Sequence, residues 1–214
     1  MVHNLGEKNS IANQYLSELR DRNIQGDKWR FRFNVQRLGR IMATEISREF
    51  PYTGKDVVTP LGTKHMMLPT KQPVLITVLR AGLAYYQGFL DVFDQASSGF
   101  VGAARLEGGD EISIDLGYIA TGSLENELVI LIDPMLATGR SIVRAVKELA
   151  RFGKPKHIYI AVLVAAPEGI AYIQEHMKES FSIWTFAVDE KLDERFYIVP
   201  GLGDAGDLGY GEKL

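Results

Sequence analysis

The sequence predicts an α/β protein built on a mostly parallel, Rossmann-like sheet flanked by helices. Short, almost wholly apolar runs at 73–79, 128–132 and 157–164 read as strands buried on both faces. Segments with helical apolar spacing separate these runs, and such alternation implies parallel βαβ units with right-handed crossovers. At 214 residues the chain is long enough for one good-sized domain with a small appendage.

Taken in order, 10–23 reads as a helix, with Ser10 as N-cap and Ile11, Tyr15, Leu16 and Leu19 as its apolar stripe. Residues 27–50 read as a longer helix capped by Asp27 and striped by Phe31, Val35, Leu38, Met42 and Ile46. Gly and Pro interrupt 54–69, where Asp56-Val57-Val58-Thr59 suits a short strand or hairpin arm. The strand 73–79 leads to a helix at 84–92 and a strand at 99–104. Within 108–124, Ile112, Ile114 and Leu116 alternate with polar neighbours, the mark of a half-buried antiparallel arm. The strand 128–132 precedes a helix from about 141 to 152, whose Ile142, Val146 and Leu149 face inward and whose stop is Gly153 and Pro155. After the strand 157–164, Pro167 suits the first turn of a helix carrying Ile170, Ile173 and Met177, and 181–186 is a further strand.

Composition narrows the function classes. Hydrophobic content of 46% and charged content of 24% are those of an ordinary soluble globular protein. A net charge of −3 gives no bulk electrostatic case for nucleic acid or a membrane surface. Without cysteine the chain has no disulfide, no thiolate and no Cys-ligated zinc, which suits a reducing compartment. The first ten residues lack a basic n-region and an apolar h-region, and no apolar run is long enough to span a bilayer. A cytoplasmic enzyme is the expectation.

The chemistry is concentrated at 128–141, where the buried strand ends on Asp133 and is followed by Pro134-Met135-Leu136-Ala137-Thr138-Gly139-Arg140-Ser141. A strand feeding a hydroxyl- and glycine-containing turn at a helix N-terminus suits a phosphate, because the first helical amides lack partners and the dipole favours an anion. Asp133 would repel a phosphate but can accept hydrogen bonds from sugar hydroxyls, so the inferred ligand is a sugar phosphate. A plain strand-to-helix turn with Thr138 as its cap fits the same pattern.

This run resembles the phosphoribosyl-pyrophosphate loop of type I phosphoribosyltransferases, in the wording of the uracil phosphoribosyltransferases. Three further segments match in the same order: Leu79-Arg80-Ala81-Gly82-Leu83, the run 162–169, and 197–207. The resemblance implies one phosphoribosyltransferase domain over 1–214, with N-terminal helices 1–50, a core of about 70–190 and a C-terminal base-binding hood of about 190–214. It implies uracil and 5-phosphoribosyl 1-pyrophosphate as substrates, Mg²⁺ held mainly by the substrate's pyrophosphate, and a flexible β-arm around 105–121 as a lid. It also implies a homodimer or higher homo-oligomer and raises GTP as an effector.

Carried over residue by residue, the resemblance gives Asp133, Arg80 and Asp204 catalytic roles. Arg80 and Arg105 contact pyrophosphate, residues 133–141 and Asp204 serve the phosphoribosyl group, and Asp204 also lies near the metal. Ile198, Gly203, Asp204 and Ala205 line the uracil site. Three departures stand out: Arg140 where relatives most often carry Gly, Pro134 where many carry a second acid, and an altered tail at 208–211. Gly201-Leu202-Gly203-Asp204-Ala205-Gly206 imitates a dinucleotide fingerprint, but only eight residues follow it, too few for the helix, strand and ribose-binding acid that such a site needs.

No metal-ligand spacing joins His3, His65, His157 and His176, and neither a P-loop nor a nucleophile elbow is present. Two other readings stay open. A regulatory, RNA-binding relative of the same fold would need a basic face, for which Arg20, Arg22, Lys28, Arg30 and Arg32 cluster in sequence. A phosphoribosyltransferase for another base would share the scaffold.

Overall fold

The computed structural model describes residues 1–106 and 113–212. In chain order the elements are β1 (Val2–Asn4), α1 (Ile11–Arg20), α2 (Lys28–Ser47), β2 (Tyr52–Thr59), β3 (Gly62–Pro69), β4 (Val74–Leu79), α3 (Leu83–Leu90), β5 (Ser97–Leu106) and β6 (Ser113–Ala120). They continue with β7 (Leu128–Ile132), β8 (Met135–Leu136), α4 (Arg140–Leu149), β9 (His157–Ala161), β10 (Val164–Ala165), α5 (Pro167–His176), β11 (Phe181–Thr185), β12 (Ala187–Val188), β13 (Lys191–Leu192), β14 (Ile198–Val199) and α6 (Ala205–Tyr210).

The main sheet runs β1-β11-β9-β7-β4-β5-β6, parallel throughout except that β6 is antiparallel to β5. Leu128, Ile130 and Ile132 of β7 join the core beneath α1, α2 and α3, while Val129 and Leu131 join the core beneath α4 and α5. All five are at most 3% exposed. Two covered faces leave no position for a polar side chain, which is why the run shows no alternation.

The helix starts follow their caps. Ser10 Oγ accepts from the Ala12 amide at 3.2 Å, and Asp27 accepts from the Trp29 and Arg30 amides at 3.0 and 3.1 Å. The five expected stripe residues of α2 are all buried. On α1 the buried stripe is Ala12, Leu16 and Leu19, while Ile11 at the exposed first turn is 56% accessible.

Three of the central strands bend after their last sheet partner and form a second, smaller parallel sheet, β12-β10-β8. The expected continuous strand 157–164 is therefore split. Val162 N–H still bonds Trp184 in the main sheet, but Leu163 N–H turns to the carbonyl of Pro134 at 2.9 Å. Of the two forms expected for 56–59 the hairpin arm is the one found, within a full hairpin of β2 against β3 that spans 52–69. Nearly all of it is solvent-exposed, so no buried face imposed a period on its sequence. The expected antiparallel arm is β6; residues 107–112 of that arm lie outside the described residues. Among the described residues no helix is long and apolar enough to cross a membrane.

Candidate functional site

Loops follow the carboxyl ends of β7 and β4, where ligands bind in open α/β sheets. One cavity of about 180 Å³ lies there. Its wall includes Arg80, Asp133, Met135–Gly139 in sequence, Ser141, and, facing them, Ile198, Gly203, Asp204 and Ala205. Side chains expected from three distant stretches thus share one space.

The β7–α4 loop is shaped by backbone bonds. Asp133 N–H donates to Ala161 at 3.1 Å, and Asp133 Oδ1 accepts from the Met135 amide at 3.4 Å. Gly139 is the N-cap of α4 with φ +75°, and it offers no side-chain acceptor to the helix. The first amides of α4 are left facing the loop, apart from a long 3.4 Å bond from Arg140 N–H to Thr138 Oγ1. A Cβ on Gly139 would stand 2.7 Å from the Gly169 carbonyl oxygen and 3.1 Å from Ile173 Cγ1. The glycine is therefore needed for the approach of α4 to α5 as well as for its torsion.

Arg80 follows β4, with a cis peptide joining it to Leu79. Its guanidinium meets Asp207 at 3.1 Å and the Gly211 carbonyl at 3.2 Å, while its buried Nε has no partner among the described residues. A fork with donors to spare beside an open cavity suits an anion with several oxygens. Gly82, in the same matched segment, packs against the fold and leaves no room there for that anion. A Cβ there would meet Val78 O at 2.7 Å and Ile132 O at 3.0 Å.

The opposite wall is the β14–α6 loop. Gly201 and Gly203 have φ of +58° and +92°. Asp204 caps α6 by accepting from the Asp207 amide at 2.9 Å. This helix was not expected, because its Gly206 and Gly209 read as loop residues. Gly209 lies against α2, its position for a Cβ only 3.9 Å from Arg32 Cγ and Phe31 Cδ1, and Arg32 donates to its carbonyl at 2.8 Å.

Not every expected residue reaches the cavity. Pro134 is buried and its carbonyl is occupied by Leu163 and Val164. Arg140 is exposed at the start of α4, its guanidinium 5.9 Å from the Tyr172 ring centre. The 165–169 stretch supports the loop from behind: Ala166 N–H bonds Leu136 at 2.8 Å. The side chain of Arg105 lies outside the described residues. Sequence reasoning passed over Phe196, which lines the cavity at φ +64° just before the matched segment.

Among the described residues no three His, Asp or Glu cluster into a metal cage. Asp133 and Asp204 both line the cavity, a donor set suited to Mg²⁺, which takes one or two carboxylates and completes its shell with phosphate and water. The histidines are engaged elsewhere. His3 stacks on Trp184 at 3.9 Å, His65 pairs with Asp56, and His157 bonds Ser180 and Ser182. Three of the clustered cations are also occupied: Arg20 by Asp189, Arg30 by Glu18, and Arg32 by the Gly209 carbonyl.

Comparison with known proteins agrees with this geometry. The family model described as uracil phosphoribosyltransferase matches residues 7–211. A Porphyromonas gingivalis protein named uracil phosphoribosyltransferase is 45% identical over 215 residues, covering 100% of this chain and 99% of its own. One of that name from Thermococcus gammatolerans is 37% identical, covering 97% of this chain and 92% of its own. A solved Aquifex aeolicus structure superposes with a TM-score of 0.87 at 30% identity, covering 99% of this chain and 98% of that one.

Proposed function

The chain belongs to the uracil phosphoribosyltransferase family, and from that premise we propose how its residues join uracil to 5-phosphoribosyl 1-pyrophosphate to give uridine monophosphate and pyrophosphate. The bond from ribose C1′ to the pyrophosphate oxygen breaks, uracil N1 bonds to C1′, and the N1 proton is lost. Positive charge grows on the ribose as the leaving group departs, so pre-aimed charges are the main lever.

The 137–141 backbone, with the Thr138 and Ser141 hydroxyls, holds the 5′-phosphate at the start of α4. Asp133 accepts hydrogen bonds from the ribose hydroxyls. Arg80 binds pyrophosphate once it exchanges Asp207 for the ligand, with Arg105 as a second cation. Ile198, Gly203 and Ala205 present backbone to the flat edge of the base, and the loop orients N1 for attack. Mg²⁺ bound with pyrophosphate would neutralise the leaving charge, with Asp204 as its protein ligand.

The observation that supports this best is the single cavity walled by the Asp133 loop on one side and the 203–205 loop on the other. The internal pairing of Arg20, Arg30 and Arg32 favours the enzyme over an RNA-binding relative. The test offers uracil, cytosine, hypoxanthine and orotate with the activated sugar, and follows nucleotide formation. Turnover of uracil alone is expected. Preference for another base, or no turnover together with a gel shift of pyrimidine-leader RNA, would overturn it.

The exposed hairpin supports a homo-oligomer. Leu61 at its tip is 99% exposed and Val58 83%, apolar surface that a second copy would cover; light scattering checks this. GTP as an effector rests on the resemblance, and a GTP titration of the rate tests it. A chain without cysteine suits the cytoplasm.

A further inference from the structure

We infer that Arg20 and Asp189 form a positioning clamp that sets the base-reading loop and, through it, the preference for uracil. The inference rests on reading 198–205 as the base loop. Arg20 meets both oxygens of Asp189 at 2.8 Å, the strong two-pronged arrangement of guanidinium and carboxylate. Arg20 is only 23% exposed and Asp189 7%, so water screens the pair little.

The same two side chains take both backbone polar groups of Gly201. Asp189 Oδ2 accepts from its N–H at 2.8 Å, and Arg20 Nη1 donates to its carbonyl at 2.9 Å. A side chain from the α1–α2 connection extends the grip. Gln25 Nε2 donates to Leu19 O at 2.8 Å and to Leu202 O at 3.1 Å. Two consecutive carbonyls are thus held immediately before Gly203, Asp204 and Ala205, the residues that line the cavity.

Asp189 is anchored in turn, its N–H bonding Ala165 of β10 at 2.8 Å. Strand β10 pairs with β8, which belongs to the phosphate-side loop. The clamp therefore fixes the base wall to the sugar-phosphate wall. A reader made of backbone has no side chain to readjust, so its selectivity depends on where its amides and carbonyls stand. A pair that served only stability would affect both substrates alike when weakened. A positioning pair affects the base.

The test uses the full chain. Arg20→Lys keeps the charge and loses the fork; Asp189→Asn keeps an acceptor for Gly201 N–H and loses the charge. Each should raise the KM for uracil about tenfold, the size of one lost charged hydrogen bond, with the KM for the activated sugar within about twofold. The uracil-to-cytosine ratio of kcat/KM should fall as well. Gln25→Ala should raise the uracil KM about threefold, as for a neutral bond.

Thermal melts identify variants that do not fold, and the folded ones among the three decide. Equal losses for both substrates, or an unchanged uracil KM in a folded variant of the pair, overturn the clamp. Gly203→Val separates this from the underlying reading, because at φ +92° its Cβ would meet only Leu208 Cδ1, at 3.6 Å, and would otherwise enter the cavity. If that folded variant keeps its uracil affinity, the base-loop reading fails. If it loses uracil while the clamp variants keep wild-type KM, the clamp alone fails.

Discussion

Gly139→Ala tests how the phosphate-side loop is built. The native φ is +75°, where a residue with a side chain is less stable by about 1–2 kcal/mol. The new methyl would also lie 2.7 Å from Gly169 O and 3.1 Å from Ile173 Cγ1, so α4 must shift from α5. Overpacking of this kind costs about 1–3 kcal/mol. The less flexible unfolded chain returns about 0.4–1 kcal/mol. The net loss is about 3 kcal/mol, which for a chain of this size lowers Tm by about 6–12 °C. Gly122→Ala is the control, since nothing lies within 4 Å of its added carbon and its torsion is unexceptional. Scanning calorimetry of both variants gives the comparison. A Tm loss under about 2 °C for Gly139→Ala would refute the claim that torsion and helix approach demand glycine here.

Asp133→Asn should sharply lower turnover and leave Tm nearly unchanged; full activity, or an unfolded protein, would remove Asp133 from the sugar site. Arg80→Ala should weaken binding of the activated sugar by about 1.5–3 kcal/mol and that of uridine monophosphate much less, measured by calorimetry. Its Tm should barely move, because the Arg80–Asp207 pair is 39% and 37% exposed and pairs of that kind contribute little. Burial, then the positive N-terminus, holds His157 below its ordinary value of 6.5, with Glu49 opposing. The unfolded chain therefore takes up this proton first. Its contribution to stability is intact above 6.5 and is lost as pH falls from there towards the lower folded value. Denaturant melts of His157→Gln should show a flatter dependence in that window than the native chain, and an identical slope would count against it.

The sheet core was legible because burial on both faces leaves an unbroken apolar run, as at Leu128–Ile132. Ser10 and Asp27 marked helix starts because their caps are local chemistry. Asp133, Thr138 and Gly139 could be singled out because strand, turn and helix follow one another in the chain. The hairpin's length was hidden by its exposure, and α6 by its glycines. The bend at Val162 and Leu163 depends on a partner, Pro134, in another strand. Arg20 and Asp189 are 169 positions apart, and no local pattern links them.

That distance has a consequence for the chain as it is made. Val2–Asn4 waits for Ile183–Thr185, and Arg20 waits for Asp189. At ribosomal speeds the interval is on the order of ten to thirty seconds. During it the apolar stripes of α1 and α2 have only part of their cover, since Trp184, Ile198 and Leu202 of the same core are still to emerge. Until they do, the newborn protein is open to chaperones, proteases and its own neighbours.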